Sequence, residues 1–333
     1  MHDTNKADIF KNMIRMIMCL MSLMSIHATT LDEIKSRGVV NCGVTTGLSG
    51  FSSINSQGQW VGFDVDICRA IAVAVFGDKE KVKFIPLTNQ VKFNALSSKE
   101  IDVLSRVTTW DYQSDHKNGL VYVGVTYFDT QGIMVYAKNK IQSMADLNHM
   151  TICLISGTTS ERNLSTYAVK HDQTFDTLTF DKGSLALKAL KNGRCEALST
   201  DKSALHVLKK SLPNPDEATI LNVSLGFEPL AIMVRDDDAN WFKLIRWTLF
   251  ALIKGEEDGI GRYVKESNMP LRIGLEHIEP KVITMPEWAL QILHQVGNYQ
   301  EIFYRNLTVP FEIPRDLNAL YHHGGLLYSP PWN

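Results

Sequence analysis

Segments typical of strands and of helices alternate along this chain from about residue 31, and the alternation restarts near residue 150. The run 39–44 is β-prone and ends in a Thr-Thr-Gly turn, whereas 64–76 has apolar residues at helical spacing and ends at Gly77. Strands that alternate with helices in this way build parallel β-α-β units. The pattern therefore predicts the α/β class.

The first series of predicted elements ends near residue 137, and the chain is mostly helical after residue 240. The predicted strands are 39–44, 82–86, 101–105, 132–137, 150–156, 177–180, 196–200 and 228–234. The predicted helices are 64–76, 93–99, 161–170, 184–192, 241–254, 259–266 and 286–296.

The length of 333 residues exceeds that of a typical single domain, so two lobes are expected. We predict that residues 31–137 begin the first lobe, that 138–230 form the second, and that 231–333 return to the first. The chain would then cross between the lobes near 138–140 and 222–235. A doubly crossed hinge allows two rigid lobes to close on a ligand.

The N-terminal segment 1–28 has the composition of a secretory signal peptide. Basic residues precede the apolar stretch 16–26, and the small residue Ala28 follows it. A membrane anchor is the alternative, but the apolar stretch is shorter than the ~20 residues that cross a bilayer. We predict cleavage near Ala28 and export to the periplasm.

Composition and motifs argue against several other classes of protein. The formal net charge of −2 gives no reason to expect binding to nucleic acid or to anionic lipid. The sequence contains no P-loop, G-x-G-x-x-G or H-E-x-x-H motif, and the adjacent His322 and His323 cannot share one helical face as metal ligands. We therefore expect neither a metal nor a cofactor.

Four cysteines follow the predicted signal peptide, and an even number in an exported chain permits disulfides. Cys42 lies on the first predicted strand and Cys68 on the helix expected to cover it, whereas Cys153 and Cys195 fall near the same ends of two strands expected to be neighbours. The preferred bridges are therefore Cys42–Cys68 and Cys153–Cys195. Four reduced, buried cysteines are the alternative, and a metal site is disfavoured because no C-x-x-C pair is present.

Three polar segments follow predicted strands and could together bind a zwitterionic solute. Thr158 and Thr159 follow Gly157 at the start of a predicted helix, where unpaired backbone N–H groups attract a carboxylate. Thr109 follows the third predicted strand, at the end where α/β sheets bind ligands, and Asp201 could hold an ammonium group. Each has a structural alternative, which is a helix cap for the residues near 158 and for Asp201, and a turn for Thr109.

Eight segments of the chain match the motifs of one known family in order: CGVTTGLSGFSSINSQGQWVGFDVDICRAIAVAVFGD, IDVLSRVTTW, VGVTYFDTQGIMV, SGTTSERNL, GRCEALSTDKSAL, RWTLFALIKGEE, VGNYQEIFYRN and LNALYHHGGLLYSPP. Together they resemble the polar amino-acid-binding proteins of ABC importers, solute-binding protein family 3, and within it the general L-amino-acid-binding branch. The resemblance implies a type II periplasmic-binding-protein fold with a ligand cleft between two lobes.

The resemblance also implies roles for individual residues. Thr109 corresponds to a ligand contact in the first lobe, and Thr158, with the amides beside it, corresponds to the carboxylate contact in the second. Asp201 corresponds to the aspartate that binds the α-ammonium group. Lys92 falls where relatives that bind acidic side chains have a basic residue, and Phe51 would line the wall of the first lobe.

Ser114 departs from the family pattern, which has an arginine at this position that pairs with the α-carboxylate of the ligand. Serine cannot provide a bidentate, charge-assisted contact, and losing such a partner typically costs ~2–5 kcal/mol. Either Arg106 or Lys92 replaces it, or the ligand differs from an ordinary α-amino acid, or affinity is lower. Asp111 adds negative charge where the branch has threonine. We expect Ser114→Arg to tighten the binding of α-amino acids.

Solute capture by lobe closure is the expected function, and it needs no catalytic residue. The protein would be a monomer that binds an amino acid and delivers it to inner-membrane permease subunits. A dehydratase-like enzyme on the same scaffold is the alternative, and it would need a general acid or base in the cleft, for which Asp111, His116 and Glu161 are the candidates. A ligand-binding sensor without a transport role is the third class.

Overall fold

One nine-stranded sheet runs through the computed structural model, which describes residues 28–116, 119–262 and 287–332. The strands of this sheet are β1 (Val40–Val44), β4 (Val82–Pro86), β5 (Val103–Leu104), β6 (Leu120–Tyr136), β7 (Thr151–Ile155), β8 (Asp176–Phe180), β9 (Ala197–Asp201), β10 (Ala218–Ile220) and β11 (Gly226–Arg235). Their order is β4-β1-β5-β11-β6-β9-β7-β8, with β10 paired to β6. The short strands β2 (Ser53–Ile54) and β3 (Trp60–Val61) pair separately.

Helices connect and cover these strands. They are α1 (Thr30–Arg37), α2 (Phe63–Phe76), α3 (Lys92–Ser97), α4 (Tyr112–Asp115), α5 (Ser160–Lys170), α6 (Gly183–Lys191), α7 (Lys202–Lys210), α8 (Ala239–Glu257), α9 (Trp288–Gln295), α10 (Tyr299–Phe303) and α11 (Val309–Phe311). Helix α1 begins at a capping box formed by Thr29 and Asp32, and α2 ends at Gly77, whose φ of 69° is the left-handed conformation that favours glycine.

The large sheet consists of two parallel parts joined by an antiparallel pair. Strand β1 pairs in parallel with β4 and β5, which we call the first strand group. Strand β7 pairs in parallel with β8 and β9, the second strand group. The long strands β6 and β11 pair antiparallel between them, because β11 also pairs with β5 and β6 also pairs with β9.

Each strand group has its own hydrophobic packing. The clusters around the first group draw their residues from 31–128 and 230–332, and include the fully buried Trp241 of α8. The clusters around the second group draw theirs from 133–225. The middle of β6 therefore lies between the two sets of clusters.

Both preferred disulfides are present. Cys42 of β1 is bonded to Cys68 of α2, with a Cα–Cα distance of 6.2 Å. Cys153 of β7 is bonded to Cys195, two residues before β9, with a Cα–Cα distance of 5.8 Å. Each bridge thus lies within the packing of one strand group.

Two predicted elements differ from the structure. The strand predicted at 132–137 is the end of the much longer β6, whose earlier part contains the buried polar residues Thr126, Asp129 and Gln131 and so lacks an apolar pattern. The helix predicted at 259–266 is absent over 259–262, where α8 has ended at Glu257 and Gly259 has a φ of 70°. Residues 263–266, like residues 1–27 of the predicted signal peptide, lie outside the described part of the chain. Within that part, no helix has the length and apolar character needed to cross a membrane.

Candidate functional site

A cavity of about 280 Å³ lies between the two strand groups. Residues from both sides line it: Asn89, Lys92, Thr109, Asp111 and Ser114 from the first, and Gly157, Thr158, Thr159, Arg162 and Asp201 from the second. The structure thus brings together six of the eight predicted ligand-binding residues, namely Lys92, Thr109, Ser114, Thr158, Thr159 and Asp201.

An adjoining compartment of about 320 Å³ shares the walls Asn89, Val107, Thr158, Thr200 and Asp201 with this cavity. Its other walls are the loop 45–49, Arg106 and the start of helix α6 at 181–184. The two spaces therefore form one cleft with two compartments.

The N-terminus of α5 presents unpaired backbone donors to the cavity. Gly157 has a φ of 71°, and among the described residues no acceptor receives a hydrogen bond from the backbone N–H of Thr158 or Thr159. The Thr158 hydroxyl donates to the carbonyl oxygen of Ile155 at 2.8 Å and accepts from the N–H of Ser160 at 3.3 Å. The backbone amides, rather than the Thr158 hydroxyl, are available to an anion.

Asp201 occupies the last position of β9, immediately before α7, and its carboxylate makes no capping hydrogen bond. The helix-cap interpretation of this side chain is therefore wrong. Thr159 likewise stands at the cap position of α5 without a side-chain capping bond. Both side chains are directed to other partners or to the cavity.

Three buried carboxyl groups meet where β6, β9 and β11 pair. Glu228 of β11 lies directly opposite Asp129 of β6, and Asp201 of β9 lies opposite Gln131, two residues further along β6. Residues opposite each other, and residues two apart, share one face of a sheet, so the three carboxyl groups lie on the same face. Of the three, only Asp201 lines the cavity.

This clustering disfavours negative charge. Burial, aided by the charge of Glu228, raises the pKa of Asp129 to about 6, although hydrogen bonds from Ser203 and Thr130 oppose this rise. Burial, followed by the charges of Asp129 and Glu228, raises the pKa of Asp201 well above its ordinary value, and the charge of Lys92 opposes that rise. A cation beside Asp201 would relieve the repulsion.

Glu228 was not singled out from the sequence, where it only begins a predicted strand. Its side chain is fully buried and accepts hydrogen bonds from the hydroxyls of Thr109 and Thr159, the latter at 2.8 Å, and from Asn163 Nδ2 at 2.6 Å. Thr109 is further fixed by the Tyr122 hydroxyl, which donates to its carbonyl oxygen at 2.8 Å. The turn interpretation of Thr109 thus leaves out its main side-chain contact.

The Ser114 side chain is buried, and most of its contacts lie within its own helical turn. Its hydroxyl and backbone N–H both bond Asp111 Oδ1 at 2.7 Å, and the hydroxyl also lies 2.9 Å from the Tyr122 hydroxyl. Asp111 Oδ2 accepts from Arg162 Nη2 at 2.8 Å, an ion pair that crosses the cavity. Although burial raises the pKa of Asp111, hydrogen bonds from Ser114 and Arg162 bring it below its ordinary value.

Arg162 was also not singled out, although it stands in the first turn of the helix whose N-terminus had been selected. Arg106, one of the two proposed substitutes for the missing arginine, lines the adjoining compartment instead. Its Nε donates to the carbonyl oxygen of Leu87 at 3.0 Å and its Nη1 to Asn89 Oδ1 at 2.6 Å. Burial lowers the pKa of Arg106 to about 10, and the charge of Asp64 opposes that change.

The placement predicted for Phe51 is wrong. This side chain has 0% exposure and packs edge-on against Phe63 and Tyr127 in the first hydrophobic core, so it does not form a cleft wall. Of the candidate general acids and bases, Asp111 lines the cavity, whereas His116 and Glu161 are exposed and do not contribute to its described walls. Across the described residues, no group of three or more His, Cys, Asp or Glu side chains is arranged to hold a metal ion.

Comparison with known proteins agrees with this architecture. Residues 40–307 match the model of the bacterial extracellular solute-binding proteins, family 3. The putative amino-acid ABC transporter-binding protein YhdW of Escherichia coli K12 is 41% identical over 91% of this chain and 92% of its own length. The general L-amino acid-binding periplasmic protein AapJ of Rhizobium johnstonii is 42% identical over 91% of this chain and 93% of its own.

A solved structure is similar over almost the whole chain. The ABC transporter periplasmic binding protein from Brucella ovis, with glutathione bound, superimposes with a TM-score of 0.84. It is 39% identical in sequence, and the match covers 92% of this chain and 100% of that one.

Proposed function

This chain belongs to the bacterial extracellular solute-binding proteins of family 3, and we propose from that premise that it captures L-amino acids for an ABC importer. The observation that carries the proposal is the cavity between the two strand groups, into which the second side presents both the Asp201 carboxylate and the free backbone amides at the start of α5. These are the complements of the two charged ends of an α-amino acid.

Asp201 binds the α-ammonium group. Its carboxylate caps no helix, lines the cavity and lies beside two further buried carboxyl groups. The negative potential of the three groups favours a cation at this wall, and an ammonium group there offsets the cost of their mutual repulsion.

The carboxylate of the ligand binds to the backbone N–H groups of Thr158 and Thr159, at the start of α5 on the same side of the cavity as Asp201. Arg162 stands on the same helix and supplies a positive charge in place of the family's arginine, whose position is occupied here by Ser114. Its ion pair with Asp111 uses one guanidinium nitrogen, and a 3.3 Å hydrogen bond to Gln113 uses a second. Other N–H groups of the guanidinium therefore remain for the ligand. Arg106 is a weaker candidate because its donors serve Leu87 and Asn89.

Ligand capture would proceed by closure of two lobes, which we place at 31–137 with 231–333 and at 138–230. In the present arrangement the proposed lobes are joined across the cavity by the ion pair of Arg162 with Asp111, and by Asn89 Nδ2, which donates to the carbonyl oxygen of Ser156 at 3.3 Å. A ligand held by Asp201 and the α5 amides on the second side and by Thr109 on the first favours this closed arrangement over an open one. Strands β6 and β11, which run between the strand groups, are the proposed hinge.

The adjoining compartment favours a second class of ligand, longer than most free amino acids. It extends from Asp201 and Thr158 toward Arg106 and the start of α6. The relative from Brucella ovis binds glutathione, a peptide with an α-amino-acid head. A peptide of that kind would use the same head-group contacts and place its remainder in the second compartment.

An enzymatic role has less support from the geometry. Asp111 is the only one of the three candidate acid–base residues found in the described cavity walls, and its lowered pKa makes it a poor general acid. We place the mature protein in the periplasm, where it would dock on inner-membrane permease subunits as a monomer.

Calorimetric titration tests the proposal. The mature protein, freed of co-purified ligand by unfolding and refolding, is titrated with the twenty L-amino acids and with glutathione. Asp201→Asn should weaken whatever binds, whereas the control Asp176→Asn, at an exposed carboxylate on β8, should not. Absence of binding by the wild-type protein, or equal affinity of the two variants, would contradict the proposal.

A further inference from the structure

Glu228 receives hydrogen bonds from both sides of the cavity. Thr109 lies on the first side, in the segment that follows β5, and Thr159 and Asn163 lie on the second, at the start of α5. The receiving carboxylate stands on β11, between the two strand groups, and has 0% exposure. It therefore contacts the ligand-facing residues of both walls without itself lining the cavity.

These contacts determine which way the hydroxyl protons point. A threonine hydroxyl has one proton to donate and two lone pairs with which to accept. A carboxylate only accepts, so Thr109 and Thr159 must each direct that proton to Glu228. The Thr158 proton is likewise directed to the carbonyl oxygen of Ile155. The hydroxyls of Thr109, Thr158 and Thr159 can then offer a ligand only lone pairs.

Lone pairs at Thr109 and Thr159 suit a group that donates several hydrogen bonds. An ammonium group donates three, and Asp201 on the same cavity accepts one of them. An α-hydroxyl group in the same place donates only one, and its own lone pairs would face those of the threonines. The hydrogen-bond pattern of this wall therefore distinguishes an amine from a hydroxyl of nearly equal size.

We propose that Glu228 is a positioning residue that makes this site selective for α-ammonium over α-hydroxyl ligands, by holding the Thr109 and Thr159 hydroxyls as acceptors. The inference rests on the proposed amino-acid binding. It assigns the selectivity to a residue that never touches the ligand.

Glu228→Gln is the direct test, because the amide keeps the shape of the carboxylate but adds an NH₂ donor. When that donor bonds one threonine oxygen, the threonine proton must turn toward the cavity. The measured quantity is the ratio of the dissociation constants of a 2-hydroxy acid and the matching L-amino acid. Three pairs serve as probes: L-lactate with L-alanine, L-phenyllactate with L-phenylalanine, and L-2-hydroxyglutarate with L-glutamate.

The ratio should fall by about 10-fold or more in Glu228→Gln, because the amino acid binds less tightly while the hydroxy acid binds as well or better. A residue that only maintained the fold would weaken both ligands equally, and an unchanged ratio would overturn the inference while leaving the proposed function intact. If the wild-type protein binds none of the amino acids, both fail.

A second set of variants covers the case in which Glu228→Gln does not fold. Thr159→Ser keeps the hydroxyl and its bond to Glu228, whereas Thr159→Val has nearly the same shape and no hydroxyl. The serine variant should keep the wild-type ratio and the valine variant should lower it. Equal ratios in these two variants would overturn the inference.

Discussion

Replacing Asp201 with asparagine should weaken ligand binding and, at neutral pH, stabilise the ligand-free protein. The two effects have one cause. Asp201 shares a face of the sheet with Asp129 and Glu228, whose charges outweigh the opposing effect of Lys92, so a ligand cation is needed to offset the cost of ionising Asp201. Asparagine has the same shape and no charge, so it removes both the repulsion within the cluster and the attraction for the ligand.

The structure sets the size of each effect. A pKa raised from 3.8 to about 6 means that ionising Asp129 in the folded protein costs roughly 3 kcal/mol more than in the unfolded chain. Burial and the charges of Asp129 and Glu228 impose a cost of the same kind on ionised Asp201, and asparagine removes that cost, so we expect a gain of about 1–2 kcal/mol in the free energy of unfolding. Loss of a buried charge-assisted contact to the ligand costs ~2–5 kcal/mol, or roughly 30-fold to 5,000-fold in affinity.

The stabilisation has a definite dependence on pH. The folded-state pKa of Asp129 and of Asp201 lies above the ordinary value, so the unfolded chain releases these protons first as the pH rises. The free energy of unfolding contributed by the pair therefore falls from about pH 4 upward, through the folded-state pKa of about 6 for Asp129. The Asp201→Asn variant has one titrating carboxyl group fewer, so its stability advantage should be small at pH 4.5 and larger at pH 7.5.

Scanning calorimetry of ligand-free protein at these two pH values measures the effect as a difference in Tm. Groups such as Asp64, whose pKa is raised to about 7 mainly by burial, titrate in both proteins and cancel in the comparison. A variant with a lower Tm than the wild type at pH 7.5, or with the same advantage at both pH values, would refute the reasoning. Titration of the same samples with the tightest-binding amino acid gives the loss of affinity.

Three further predictions concern the charges of the cavity. Arg162→Gln should weaken amino-acid binding by about 10-fold to 100-fold in calorimetric titration, and Arg162→Lys should weaken it less, because lysine keeps the charge but not the planar guanidinium group. Wild-type affinity in the glutamine variant would exclude the role given to Arg162. Ser114→Arg would bring a guanidinium group beside Asp111, so it should tighten amino-acid binding and compensate for Arg162→Gln. No gain in affinity, in the wild-type protein or in the Arg162→Gln variant, would contradict this prediction. An ammonium ligand displaces protons held by the carboxyl cluster, so the affinity for the ligand should rise from pH 5.5 to 7.5. The binding enthalpy at pH 7 should also depend on the ionisation enthalpy of the buffer, and identical binding enthalpies in phosphate and Tris would exclude proton release.

Most helices and short strands could be predicted from the sequence because the signals are local. The apolar spacing in α2 and the left-handed glycine at its end lie within one segment of chain, and the predicted and observed bounds differ by one residue. Strand β4 matches its predicted bounds fully. The predicted pairing of Cys42 with Cys68 needed only the expectation that a helix packs over the strand before it.

The candidate site was predictable in part for the same reason. Thr109 and Thr158 follow strands and Asp201 ends one, and the carboxyl ends of parallel strands meet at one edge of a sheet. Phe51 shows the limit of this reasoning. It belongs to a segment with polar neighbours, but only three-dimensional packing determines that its ring points into the core against Phe63.

Only the tertiary structure could reveal Glu228 and Arg162. Glu228 stands opposite Asp129 because β11 and β6 pair antiparallel over ten positions, and a shift of one residue would turn both carboxyl groups to the other face. Arg162 reaches Asp111 because the two strand groups are held together across the cavity. The sequence by itself determined the strands, the helices and the polar residues at their ends, since these depend on near neighbours. The hydrogen bonds that Thr109 and Thr159 donate to Glu228 were decided by the tertiary structure, because strand pairing over long sequence distances places this carboxylate between them.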